Sequence, residues 1–261
     1  MKKIIAMLLA LAMVMAFAAC AKTDAPAETK APVETKAPVE TEAPVETEAP
    51  VQTEAPVVEP AVMTHEEYIA AEIDAAVTIE TYVQGHQSWW DNKITVYCQS
   101  PDGAYFLYEL ACSEEDAAKL VPGTKILVNG FKGEWAGEVE VMDGTFTFVE
   151  DGDTFIAEAL DVTELLGTDE LIAHQNEFVV FTGMTVEAIE YKNGEPGDDI
   201  YVTLGYNGAS YSFCVEVYLT GTDSDVYATV GTLNVGDVVN VEGFLYWYEG
   251  VNTHITAVTV A

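Results

Sequence analysis

Two stretches 113 residues apart repeat the same pattern. "LVPGTKILVNGFKGEWAG" (Leu120 to Gly137) aligns without a gap on "LNVGDVVNVEGFLYWYEG" (Leu233 to Gly250), with Leu120/Leu233, Gly123/Gly236, Val128/Val241, Gly130/Gly243, Phe131/Phe244 and Gly137/Gly250 identical. A turn glycine, alternating apolar residues and a second glycine describe a half-buried strand with a bend in it. The flanks line up as well. Each copy follows a lead-in that opens on threonine with acidic residues in its first turn, "THEEYIAAEI" from Thr64 and "TDELIAHQ" from Thr168, which predicts a short capped helix before each copy. Residues 63–160 and 161–261 are therefore expected to fold twice in one way.

Within copy one, "VTIETYV" (Val77 to Val83) and "KITVYCQS" (Lys93 to Ser100) alternate as strands. Ser100-Pro101-Asp102-Gly103 is a turn, with proline fixing one torsion and glycine closing it. "AYFLYELA" (Ala104 to Ala111) is the third strand, and Ser113 with Asp116 caps a short helix. "GTKILVNGF" opens the fourth strand, and Gly137 to Val149 supplies a fifth, bent at Asp143-Gly144. Copy two repeats the order with "NEFVVFTGMTVEAI", "DDIYVTLGY", "ASYSFCVEVYL", a connecting segment, "GDVVNVEGFLYWY" and "NTHITAVTVA".

Three strands, a helix and two strands in about 90 residues resemble the OB-fold, a five-stranded Greek-key barrel. The phrase "L-x-x-G-x-x-V-x-V-x-G-F" is similar to that family's fourth strand. The expected class is all-β: two tandem five-stranded OB-like barrels with short helices. Other small barrels and a β-sandwich fit the same pattern. The resemblance implies binding through the outer face of the second and third strands, between the loop joining strands one and two and the loop joining four and five. In copy one these loops are "GHQSWWDNK" (Gly85 to Lys93) and "KGEWAG" (Lys132 to Gly137). That placement collects Trp89, Trp90, Trp135, His86, Gln87, Asp91 and Asn92, with Tyr97 and Tyr105 on the strands between. Copy two has only Tyr191 in its first loop, so the two barrels are not equivalent sites. Trp247 alternates with Leu245 and is expected in the core or against copy one.

Rings beside amides and carboxylates suit a sugar, which stacks its apolar face on indole and bonds its hydroxyls to groups such as Gln87, Asp91 and Asn92. A glycan or small ligand on these loops is the leading expectation, a protein-interaction or structural module the alternative, and single-stranded nucleic-acid binding, by analogy of fold, the third. A tryptophan can equally plug the open end of a small barrel.

The chain begins "MKKIIAMLLALAMVMAFAAC", two lysines and an apolar run ending in small residues before Cys20. It resembles the export signal of bacterial lipoproteins, although Phe17 departs from the aliphatic residue usual three positions before the cysteine. The resemblance implies removal of residues 1–19, lipidation of Cys20, and a membrane-anchored protein on the extracellular face of a Gram-positive-type envelope. A cleaved signal on a secreted protein is the alternative. From Ala25 to Pro60 proline recurs every sixth residue, as in "APVETE", so residues 20–62 read as an extended, solvated tether. At about 3.1 Å per residue this spans on the order of 100 Å.

The chain holds 44 acidic residues against 10 lysines and no arginine, a formal net charge of −34; loss of Lys2 and Lys3 takes it to −36. Such a surface repels phosphate backbones, so nucleic acid is not expected as a partner, and membrane attachment is expected through the lipid alone. No metalloprotease, nucleophile-elbow or phosphate-loop motif is present, and the acidic turns lack the ligand order of a calcium loop. Cys98, Cys112 and Cys214 read as small apolar residues, with one Cys98–Cys112 bridge left open. A non-catalytic binding protein without cofactor or metal is the expectation.

Overall fold

A computed structural model describes residues 61–150 and 152–261; the signal (1–19), Cys20 and nearly all of the tether lie outside these residues. After α1 (His65–Ala70), the first barrel comprises β1 (Ala76–His86), β2 (Lys93–Ser100), β3 (Gly103–Ala111), α2 (Glu114–Ala117), β4 (Lys125–Trp135) and β5 (Glu138–Phe148). The strands close in the order β1-β2-β3-β5-β4. A short β6 (Leu160–Asp161) leads into β7 (Phe178–Tyr191), β8 (Ile200–Tyr206), β9 (Ala209–Val215), α3 (Val217–Thr220), α4 (Asp225–Val230), β10 (Val238–Phe244) and β11 (His254–Val260). The second sheet runs β10-β11-β9-β8-β7-β6, and pairing of β10 with β7 closes its first five strands on themselves. The protein is thus mostly β, with tandem OB-like domains. No helix among the described residues is long and apolar enough to cross a membrane.

The period-two pattern explains the two interiors. Ile94, Val96 and Cys98 of β2 face Tyr105 and Leu107 of β3 and Val128 of β4 inside barrel one. Val179, Phe181, Val202, Phe213, Val241 and Ile255 fill barrel two. All three cysteines of the folded region are free and buried. The repeated glycines mark the same event in both copies. At Gly130 a Cβ would meet Val141 and the Met142 carbonyl, and at Gly243 it would overlap the His254 carbonyl. Both lie at irregularities in the ladder between the fourth strand and the fifth.

The first lead-in is a helix held by a full capping box, Thr64 with Glu67. The second departs from expectation: Thr168 caps no α-helix, and only a 3-10 turn forms at Leu171–His174. Its Asn176 has a positive φ of 70° and breaks the segment just before β7.

The loop between β1 and β2 is a tight hairpin end. Trp90 and Lys93 exchange backbone hydrogen bonds of 3.0 and 2.9 Å around Asp91 (φ 46°) and Asn92 (φ 60°). Two consecutive left-handed residues make a type I′ turn, which favours Asn and Gly. Replacing Asn92 with valine is expected to cost about 1–2 kcal/mol of stability in urea unfolding, because a β-branched residue resists that φ, whereas Asn92→Gly stays close to wild type.

Candidate functional site

The outer face of β2 and β3, the expected binding face of barrel one, is covered by barrel two around Tyr97 and Phe106. Tyr97 and Phe106 form a buried cluster with Phe244, flanked by Phe178, Leu219 and Tyr246. Tyr97 stacks on Phe244 at 4.5 Å between ring centroids, and its hydroxyl lies 2.6 Å from His254 Nδ1. Gln87 Nε2 donates to the same hydroxyl at 3.2 Å, which leaves the Tyr97 O–H free to donate to His254. Burial pushes His254 down to about 4 and leaves the ring neutral, as this acceptor role requires.

Backbone groups tie the seam along its length. Phe178 N–H donates to Gln99 Oε1 (2.8 Å), Trp247 N–H to Glu138 Oε2 (2.8 Å) and Gln175 Nε2 to the Gly137 carbonyl (2.8 Å). Ser88 N–H donates to the Tyr218 carbonyl at 2.6 Å, so the β1–β2 loop rests on α3 of barrel two. Trp247 packs on the second core while its indole lies beside Gly137 of barrel one, so it serves both of its expected places.

The candidate residues are therefore dispersed. Tyr97 belongs to the seam and Tyr105 to the core of barrel one, where it meets His65 and Tyr68 at 5.2 and 5.1 Å, so neither is open to a ligand. Asp91 and Asn92 shape the turn. His86 Nδ1 bonds the Gln87 carbonyl. Trp89 leans on the core of barrel one and donates Nε1–H to the Cys112 carbonyl at 2.9 Å. Trp135 stands 63 % exposed at the tip of the β4–β5 hairpin. It does not line the cavity that holds Trp89 and Trp90.

That cavity, of about 360 Å³, is an open groove where the barrels meet. Trp90 (79 % exposed) forms one side and Tyr218 of α3 (60 % exposed) comes from barrel two. Gln87, Thr95, Lys93 and Glu109 complete it, with Lys93 held by Glu109 at 2.6 Å. Sequence reasoning found Trp90 but missed Tyr218. Only the docking of the two barrels brings them together.

No family profile and no curated protein matches the chain. Several solved structures resemble the two-barrel body. A murine DNA-binding protein bound with double-stranded DNA is 12 % identical over 70 % of this chain and 96 % of its own, with a TM-score of 0.35. The HINa domain of Ifi202 in complex with 20-bp double-stranded DNA is 10 % identical over 72 % and 98 %, at 0.33. A replication protein A heterotrimer bound to single-stranded DNA is 12 % identical over 72 % and 49 %, at 0.30. Likeness at this level concerns the fold alone.

Two expectations are corrected. The expected glycan or small ligand on the aromatic loops of barrel one, and the expected absence of nucleic acid among the partners, stand against neighbours that are described with double- or single-stranded DNA. The geometry bears on the first correction too, since Tyr97 and Trp89 are spent on packing and Trp135 stands away from the groove.

Proposed function

We propose that the two barrels act as one preassembled, non-catalytic recognition body whose seam groove takes a cationic side chain of a polypeptide partner. The observation that carries this reading is the pairing of exposed Trp90 and Tyr218 across the seam, on a fold with five lysines against 35 acidic residues in residues 61–261. A guanidinium or ammonium over an indole face gains about 0.5–2 kcal/mol, and a strongly acidic surface steers cationic partners toward it. Cys20 and the tether would hold this body outside the membrane on the envelope's outer face.

The test titrates the folded region with arginine- and lysine-containing peptides at 150 mM salt and reads tryptophan fluorescence. Trp90→Ala is expected to weaken peptide binding about 10- to 30-fold, the scale of an aromatic hot spot, without lowering the melting temperature. Single-stranded and duplex DNA belong in the same titration. Retention of either DNA without peptide binding would replace this reading with a nucleic-acid one.

A further inference from the structure

Among the described residues the seam buries the Glu138 carboxyl without an ion-pair partner. Glu138, at the start of β5, is fully buried; its Oε2 accepts the Trp247 N–H at 2.8 Å and its Oε1 has no partner. The Trp247 N–H and the Asn176 side chain both favour the ionised carboxyl, and burial outweighs them. Asn176 is buried too, with Nδ2 donated to the Val139 carbonyl at 3.2 Å and Oδ1 left unpaired. A proton on Glu138 removes the charge from a fully buried carboxyl whose Oε1 finds no donor.

The surroundings favour the neutral form. Glu140 lies two residues along the same strand and adds negative charge. Tyr68 of α1, Tyr97 of β2 and Tyr246 after β10 also face the carboxyl. Glu216 approaches Tyr97 from barrel two, accepting the N–H groups of Tyr218 (3.2 Å) and Leu219 (2.8 Å), with Asp199 raising its carboxyl and Lys192 lowering it. His254 is neutral. Buried Lys132 spends its Nζ on the Ile69 and Ala71 carbonyls, at 2.6 and 2.8 Å.

We propose that Glu138 is protonated in the docked protein and that its ionisation loosens the seam, so that the packing of barrel two on barrel one is proton-linked. Burial pushes Glu138 up to about 8, and Glu140 and Glu216 to about 7. A carboxyl whose folded value is raised contributes stability that is complete below its unfolded value near 4.5 and is lost as pH rises through the folded value. Lowered His254 acts in the opposite sense, weakening the fold as pH falls from about 6.5 toward 4. Above pH 6.5 only the carboxyls act, and the seam weakens toward pH 8.

The inference does not rest on the partner proposed above, and its test uses none. Urea unfolding of the full chain and of Glu138→Gln is followed from pH 5.5 to 8.5. Glutamine keeps an acceptor for Trp247 but cannot ionise. The ratio of wild-type to E138Q folding constants is expected to drop at least about a hundredfold across that range. Carboxyl ¹³C resonances of the wild type supply an independent reading, with Glu138 titrating above pH 7. A flat ratio, or a Glu138 resonance that titrates in the ordinary carboxylate range, overturns the proposal. If E138Q does not fold, the resonance alone decides.

Discussion

Phe244→Ala lowers stability by about 3–5 kcal/mol and splits one unfolding transition into two. Phe244 is 4 % exposed at the end of β10 and stacks on Tyr97, with Phe178 at 5.5 Å on its other flank. Removing a buried aromatic ring loses both its transfer free energy and the packing around the void. The two barrels keep separate interiors, so the loss falls on the seam that makes them unfold together. Differential scanning calorimetry reads both effects. The control is Phe131→Ala at the repeat-equivalent position, where the ring is 46 % exposed and the expected cost is below about 1 kcal/mol. Equal costs at the two positions would mean that Phe244 does not hold the barrels together.

This pair of residues also marks the limit of what the sequence reveals. Alternation and turn chemistry place all five strands of each copy, because inward positions must be apolar whatever lies outside. The same rule says nothing about what covers an outward ring. Tyr97 and Phe106 read equally well as a free binding face or as half of an interface, and the other half lies more than 70 residues away at Phe178 and more than 130 away at Phe244. Tyr218 could not be found for the same reason, since its position depends on how barrel two docks. The turn at Asp91 and Asn92 was legible: two residues of the types that accept positive φ, between a strand end and a strand start, signal a tight hairpin. Reading them as hydroxyl partners for a sugar put a possible chemistry ahead of a backbone requirement. The second lead-in misled differently. Its acidic residues and threonine have the composition of a capped helix, but the Leu171–His174 turn is tied to barrel one at once through Gln175 and Asn176.

Gly243→Ala is expected to be still more damaging locally, costing about 3 kcal/mol or more. A β-carbon there would overlap the carbonyl oxygen of His254 and lie 2.8 Å from its carbonyl carbon, both backbone atoms of the paired strand. A flexible side chain could yield, whereas β11 can move only by losing its register with β10. The same shift would pull the His254 ring from Tyr97, whose hydroxyl it accepts at 2.6 Å, so core and seam suffer together. Gly130→Ala should be milder, because the closest atom is a methyl of Val141 at 2.6 Å and the Met142 carbonyl is at 2.9 Å. Gly236→Ala should cost only about 1 kcal/mol, for it pays the strain of a φ of 96° and meets nothing within 4 Å. Urea midpoints of the three variants give the order directly. If G243A falls no further than G236A, the close approach of β10 and β11 does not exist, and the shared glycine of the two copies serves some other need than the bend that lets each barrel close.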